Sequence, residues 1–213
     1  MKNAENEYIE GENIERTDAV QHEIDTGDTK PFREKLRMYS PEVNKILEEE
    51  RIKMSEQGVC QPSTSAYASN LLLVRKPDPS SKGGVKNRLC AAFVQLNRLT
   101  KKDSYPLPNI QAIFRKIGRS KWYTTMDLIS GFWQILIKPE HRHKTAFLTS
   151  RGLFEFVVMP FGLCNAPATF QRLMDRIILP EYRDFIETYI DDLMTHSLSF
   201  TDHVKHLETL LKI

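Results

Sequence analysis

The chain has 213 residues, 40% of them hydrophobic, and a formal net charge of +2, enough apolar material for one substantial core or two modest lobes. Its longest aliphatic run, Leu71-Leu72-Leu73-Val74, is far too short to span a membrane, and the acidic start "MKNAENEYIEGENIERTD" has no apolar stretch for a signal peptide. Cys60, Cys90 and Cys164 are odd in number and widely spaced. That argues against a disulfide framework or zinc site and predicts a reducing intracellular compartment.

Residues 1–30 hold nine acids against three bases, a net of −6 that leaves +8 on the remainder. This polar, aperiodic segment reads as an acidic tail or linker, and the basic body suits a polyanionic partner. Ser40-Pro41-Glu42 starts a helix, with Val43, Ile46 and Leu47 as its apolar stripe and Gly58 as its stop. "QPSTSAYAS" (61–69) reads as a loop. Leu71–Lys76 and Arg88–Phe93 read as two strands joined by the turn-forming "PDPSSKGG" (77–84). A short helix is expected over Pro108–Ile117, followed by Gly118.

Trp122–Leu128 is strand-like, and the alternation of Phe132–Ile137 predicts another strand. Thr145–Thr149 and Phe154–Val158 add two more around Gly152. Between Pro167 and Pro180, Phe170, Leu173, Met174, Ile177 and Ile178 follow helical spacing, as do Val204, Leu207, Leu210 and Leu211 after Thr201. Hairpins mixed with separate helices predict an α+β fold.

"YIDD" (189–192) interrupts an apolar run with two adjacent acids. Strand, Asp-Asp, strand is the pattern of a tight hairpin, and acids are common in turns for purely conformational reasons. A third acid, Asp127, ends the strand "KWYTTMD" beside a glycine-containing bend. If the two hairpins are neighbours, Asp127, Asp191 and Asp192 form a cage of hard oxygen ligands suited to Mg²⁺ and phosphoryl transfer.

Beyond that point the residues carry a resemblance. "YIDD" is similar to the Tyr-x-Asp-Asp signature of reverse transcriptases. "MPFGLCNAPATFQRLM" (159–174), "HEIDTGD" (22–28), "SYPLPNI" (104–110), "MDLISGFWQI" (126–135) and "KTAF" (144–147) resemble, in order, blocks of the gypsy/Ty3 class of long-terminal-repeat retrotransposons. A lone Y-x-D-D is a weak signal; the blocks in series, over roughly residues 20–213, are specific.

The resemblance implies a right-hand polymerase: a fingers region with the start of the palm over 31–125, and a palm with an antiparallel sheet over 126–213, interrupted by a fingers insertion near 139–158. It implies that Asp127, Asp191 and Asp192 hold two Mg²⁺ ions, or Mn²⁺ as a substitute, while a primer 3′-hydroxyl attacks a deoxynucleoside triphosphate. Phe132 is implied as the aromatic gate that excludes a 2′-hydroxyl, against the alternative of a core residue. Lys76 and Arg88 are implied as triphosphate contacts. Phe161 and Gly162 are implied to lie where base and template pass. Gln171 is implied to face the substrate cleft, with an exposed glutamine as the alternative. The implied partners are an RNA or DNA template with its primer, in the cytoplasm within an element particle and with access to the nucleus, and no membrane.

Departures from the family pattern are also present. Cys90-Ala91-Ala92-Phe93-Val94 stands for the usual Cys-Val-Asp-Tyr-Arg, removing an acid and a base together. Phe132-Trp133 replaces Tyr-His, Cys164 replaces Thr and Asn70 replaces Pro. The family's thumb, connection and RNase H regions have no counterpart in these residues. The expectation is a polymerase fragment of low activity, or alternatively an inactive remnant that at most binds nucleic acid.

Overall fold

The computed structural model describes residues 15–77 and 85–213, with the side chains of 75–88 outside the description. Thr17–His22 is a strand, β1, where the sequence suggested only a tail. Val20, His22, Ile24 and Thr26 are buried in alternation, the period-2 signature of a strand. Charged neighbours at 18, 23 and 25 hide that short pattern, because they occupy the outward positions. The boundary of the expected linker is therefore corrected, and its first 14 residues lie outside the described ones.

Helix α1 (Pro41–Glu56) begins as its cap predicts: Ser40 Oγ accepts a hydrogen bond from the Val43 amide, and Pro41 fills the first helical position. It stops before Gly58, whose φ of 65° lies in the left-handed region. Strands β2 (Cys60–Pro62), β3 (Ser69–Pro77) and β4 (Val85–Ala91) follow. The connecting turn "PDPSSKGG" falls on residues outside the description apart from Pro77, the last residue of β3. Helix α2 (Val94–Leu99) was not legible in the sequence, since its cap position is Phe93, which makes no side-chain cap.

Asn109 caps α3 (Ile110–Ile117) by accepting from the Gln111 and Ala112 amides, and β5 (Trp122–Asp127) follows. The expected strand at 132–137 is only half strand. Gly131–Gln134 is a 3₁₀ turn, and extended backbone resumes in β6 (Ile135–Ile137). Ser130, with φ of 50°, bends the chain into that turn, so the Phe132–Gln134 alternation is not a pleat.

Then come α4 (Pro139–Arg142), β7 (Phe147–Thr149), β8 (Gly152–Phe156) and α5 (Ala166–Ile177). Strands β9 (Ile186–Tyr189) and β10 (Asp192–Ser197) form the hairpin, and α6 (Phe200–Leu210) closes the chain.

Three sheets result among the described residues. A mixed five-stranded sheet runs β2-β8-β7-β3-β4, with only β3 and β7 parallel. An antiparallel three-stranded sheet runs β5-β10-β9, and β1 pairs in parallel with β6. Phe93, Phe147 and Phe156 form an aromatic cluster in the core, with ring centroids 4.9 Å apart for the closer pair. Helix α5 buries Phe170, Leu173 and Met174, and packs against both β1 and β9. The α+β class and the antiparallel sheet built from the "KWYTTMD" and "YIDD" segments stand as expected.

Candidate active site

The two-residue turn between β9 and β10 is Ile190-Asp191, with Tyr189 opposite Asp192. Ile190 has φ of 57°. For a β-branched side chain this left-handed conformation costs roughly 1–3 kcal/mol. A positive φ at the first central residue is what a tight hairpin turn of compatible twist requires. The turn thus takes a strained backbone in order to keep its sequence.

Strand β10 also pairs with β5, and the register sets Asp192 opposite Asp127. Side chains of directly opposed residues lie on the same face, with Cβ atoms about 4.5–5.5 Å apart. The Leu128 amide reaches the Asp191 carbonyl at 3.4 Å, tying the end of β5 to the turn. Asp127 and Asp192 are exposed and Asp191 is half-buried. Among the described residues none of the three side chains has an ion-pair partner. The 64 residues separating the first acid from the second are thus closed by strand pairing.

The sequence pictured a closed cage, and here the structure differs. Among the described residues no three His, Cys, Asp or Glu side chains form a group able to hold a metal ion. Asp127 and Asp192 share one edge and Asp191 sits on the adjoining turn. Successive side chains of an extended chain diverge, and like charges repel, so the acids do not draw together unaided.

Phe132 lies on the 3₁₀ turn five residues past Asp127, its ring 5.2 Å from Phe161 and 5.3 Å from Phe170. It is half-buried, neither a free gate nor a full core residue. Gly131 makes this possible: a Cβ there would lie 2.9 Å from Phe170 Cζ. Gly162 has φ of 94° and is exposed, and its carbonyl accepts from Asn97 Nδ2 at 2.7 Å. Asn97 Oδ1 also accepts from the Cys164 amide at 2.9 Å, so one side chain on α2 clamps the turn after Phe161. Sequence reading missed Asn97 because it missed α2.

Lys76 and Arg88 lie on the same hairpin, where Lys76 pairs with Lys86 and Arg88 with Val74. Their side chains lie outside the description. Gln171 departs from expectation. It is fully buried, its Oε1 accepts from the Ile190 amide at 3.1 Å, and its Nε2 donates to Thr188 Oγ1 at 3.1 Å. Placed on the inner face of α5, it is not an exposed glutamine and its amide is turned to the hairpin.

The model of the family described as reverse transcriptase (RNA-dependent DNA polymerase) matches residues 74–213. The chain belongs to the reverse transcriptase family. It is 37% identical over 203 residues to the Pol polyprotein of transposon 297 of Drosophila melanogaster, covering 95% of this chain and 19% of that one. An RNA-directed DNA polymerase homolog of Oenothera berteroana is 38% identical over 126 residues, covering 58% of this chain and 89% of that one. Among solved structures, the prototype foamy virus protease-reverse transcriptase superposes with a TM-score of 0.76 at 26% identity, covering 90% of this chain and 25% of that one. The foamy viral enzyme in complex with double-stranded DNA gives a TM-score of 0.81 at 24% identity, which speaks for the fold. This reverse transcriptase domain thus spans about a fifth of the transposon polyprotein.

Reverse transcriptases use divalent metal ions. The donors of this domain fit a hard cation: carboxylate oxygens only, on an exposed edge, with no lysine or arginine among the described residues already neutralising them.

Proposed function

We propose that this reverse transcriptase domain forms fingers and palm and transfers deoxynucleotides to a primer 3′-hydroxyl under the direction of an RNA or DNA template. The observation that carries the reading is the register of β5 against β10, which sets Asp127 opposite Asp192 beside Asp191. Asp127, Asp191 and Asp192 would hold two Mg²⁺ ions, or Mn²⁺ in their place, which would supply activation of the primer hydroxyl and charge stabilisation at the leaving oxygen of an in-line displacement.

The protein's own residues supply the rest. The Phe132 ring, backed by Phe170, forms the floor under the sugar and leaves no room for a 2′-hydroxyl. Phe161 and Gly162 pass the base and the template, with Gly162 allowing close backbone approach. Lys76 and Arg88 meet the triphosphate with point charge and bidentate fork. The fingers comprise the five-stranded sheet with α1, and the palm comprises β5, β9, β10, α5 and α6. The site of action is the cytoplasm, within an element particle, with access to the nucleus.

A second reading, a remnant that binds nucleic acid without chemistry, is favoured by the 90–94 stretch. Ala92 and Val94 supply no charge, and Val94 is 58% exposed where the family carries arginine. One assay separates the two. Single-nucleotide incorporation on a preformed template-primer, dependent on Mg²⁺ and abolished by Asp191→Asn, supports the polymerase. Salt-sensitive binding of the duplex without incorporation in either chain supports the remnant.

A further inference from the structure

The strained turn of the β9–β10 hairpin is held from behind by a chain of partly buried hydrogen bonds. Its last link is Gln171 Oε1, which accepts from the amide of Ile190, the residue with positive φ. The neighbours fix which way the amide points. Ile190 N–H can only donate, and the Asp175 carboxylate, 3.4 Å from Gln171 Nε2, can only accept. A flipped amide would set oxygen against carboxylate and nitrogen against N–H.

Asp175 is itself held. Its Oδ2 accepts from Tyr105 Oη at 2.6 Å, and its Oδ1 lies 3.3 Å from Arg183 Nη2. The hydrogen bond to this carboxylate pushes the Tyr105 pKa up, so the phenol stays a donor. Tyr105 in turn lies under the Arg172 guanidinium, 4.6 Å from ring centroid to Cζ, while Arg172 pairs with Asp103 at 2.7 Å. The series runs from the exposed 103–109 segment, through α5, to the amide preceding Asp191.

We infer that Tyr105, Asp175 and Gln171 are positioning residues that hold the Ile190-Asp191 turn, and through it set the affinity of the acidic edge for divalent cations. The hold matters because the three carboxylates repel one another, and strand pairing with the long Leu128–Asp191 bond has to keep the turn in register against that repulsion. A buried amide with all its polar atoms satisfied supplies that stiffness without adding charge. The 103–109 segment thereby becomes coupled to the acids, and whatever displaces Tyr105 loosens them. The cation arm of this inference rests on the proposed function; the hydrogen-bond arm does not.

The test uses the 213-residue chain and two readouts by nuclear magnetic resonance: hydrogen exchange at the Ile190 amide, and Mn²⁺ titrated by paramagnetic broadening. Gln171→Leu is expected to speed Ile190 exchange about tenfold, the loss of one net hydrogen bond, and to weaken Mn²⁺ binding several-fold. Tyr105→Phe, which removes one hydroxyl at a partly exposed site, is expected to do the same to a smaller extent. Gln171→Glu keeps an acceptor for the Ile190 amide but sets an oxygen against the Asp175 carboxylate, so it is expected to recover protection only when combined with Asp175→Asn, which supplies a donor there. Unchanged Ile190 exchange in Tyr105→Phe and in Gln171→Leu overturns the relay. Should Gln171→Leu fail to fold, Tyr105→Phe alone decides. Absence of Mn²⁺ binding in the unaltered chain sinks the ion-site reading, while Ile190 exchange still reports on the relay.

Discussion

Asp127 and Asp192 are cross-strand partners, directly opposed on one face of β5 and β10. Like charges in that relationship destabilise a sheet. The fold therefore carries a local cost at the position where the proposed chemistry needs negative charge. Asp192→Asn is expected to raise the melting temperature by on the order of one to three degrees in metal-free buffer. Adding Mg²⁺ is expected to stabilise the unaltered chain and leave the variant unmoved. Scanning calorimetry with and without the ion checks both, and equal Mg²⁺ responses would count against the edge as a cation site.

Stability is expected to depend on pH through His22. Burial against α5 drives its pKa down from 6.5 to about 4, and its Nδ1 sits 2.8 Å from Thr169 Oγ1. Between those two values the unfolded chain binds the proton and the folded chain does not. Stability is thus complete above pH 6.5 and is lost as pH falls toward 4, by on the order of 3 kcal/mol. His141 and His206, also lowered by burial, add slope of the same sign. Urea melts from pH 7 to 4 are expected to show a flatter profile in His22→Leu than in the unaltered chain.

Gly131→Ala is expected to destabilise the chain by about 1–3 kcal/mol, the usual range for an overpacked core. The added methyl would meet Phe170 Cζ at 2.9 Å, and Phe170 is only 1% exposed and unable to yield. Phe132, on the same turn, is expected to move with it. A fall in the urea midpoint at constant slope is the confirming result.

Asn70→Pro restores the residue usual in the family, yet is expected to destabilise this chain by on the order of 2 kcal/mol or more. Asn70 Nδ2 donates to Glu34 Oε2 and to the Lys35 carbonyl, and its Oδ1 accepts from the Arg37 amide. Its own amide donates to Glu34 Oε2 at 3.0 Å. Proline removes all four bonds and leaves the half-buried Glu34 carboxylate and the Arg37 amide seeking partners. Denaturant midpoints of the two chains decide this.

Elements with local signals were readable. Ser40-Pro41 and Gly58 bracket α1, and the apolar spacing of α5 is visible without coordinates. Where the signal was non-local, reading failed. Strand β1 has no partner until β6 arrives more than a hundred residues later. Helix α2 lacks a cap, and Phe132–Gln134 alternates like a strand while Ser130 turns it into a 3₁₀ segment. Asn97 and Gln171 look like ordinary amides in the sequence, because their roles depend on which backbone groups they meet.

Residue identity alone settled that two adjacent acids lie at or beside a tight hairpin turn between apolar strands and that a third ends another strand, since turn and strand preferences act over a few neighbours. Only the packed chain decided that the third acid faces one of the pair across a sheet, that the acids line an exposed edge, and that Gln171 braces the turn from within. Strand register is a long-range choice, fixed by burying one face of β5, β9 and β10 against α5 and α6, and no window of the sequence contains both sides of it.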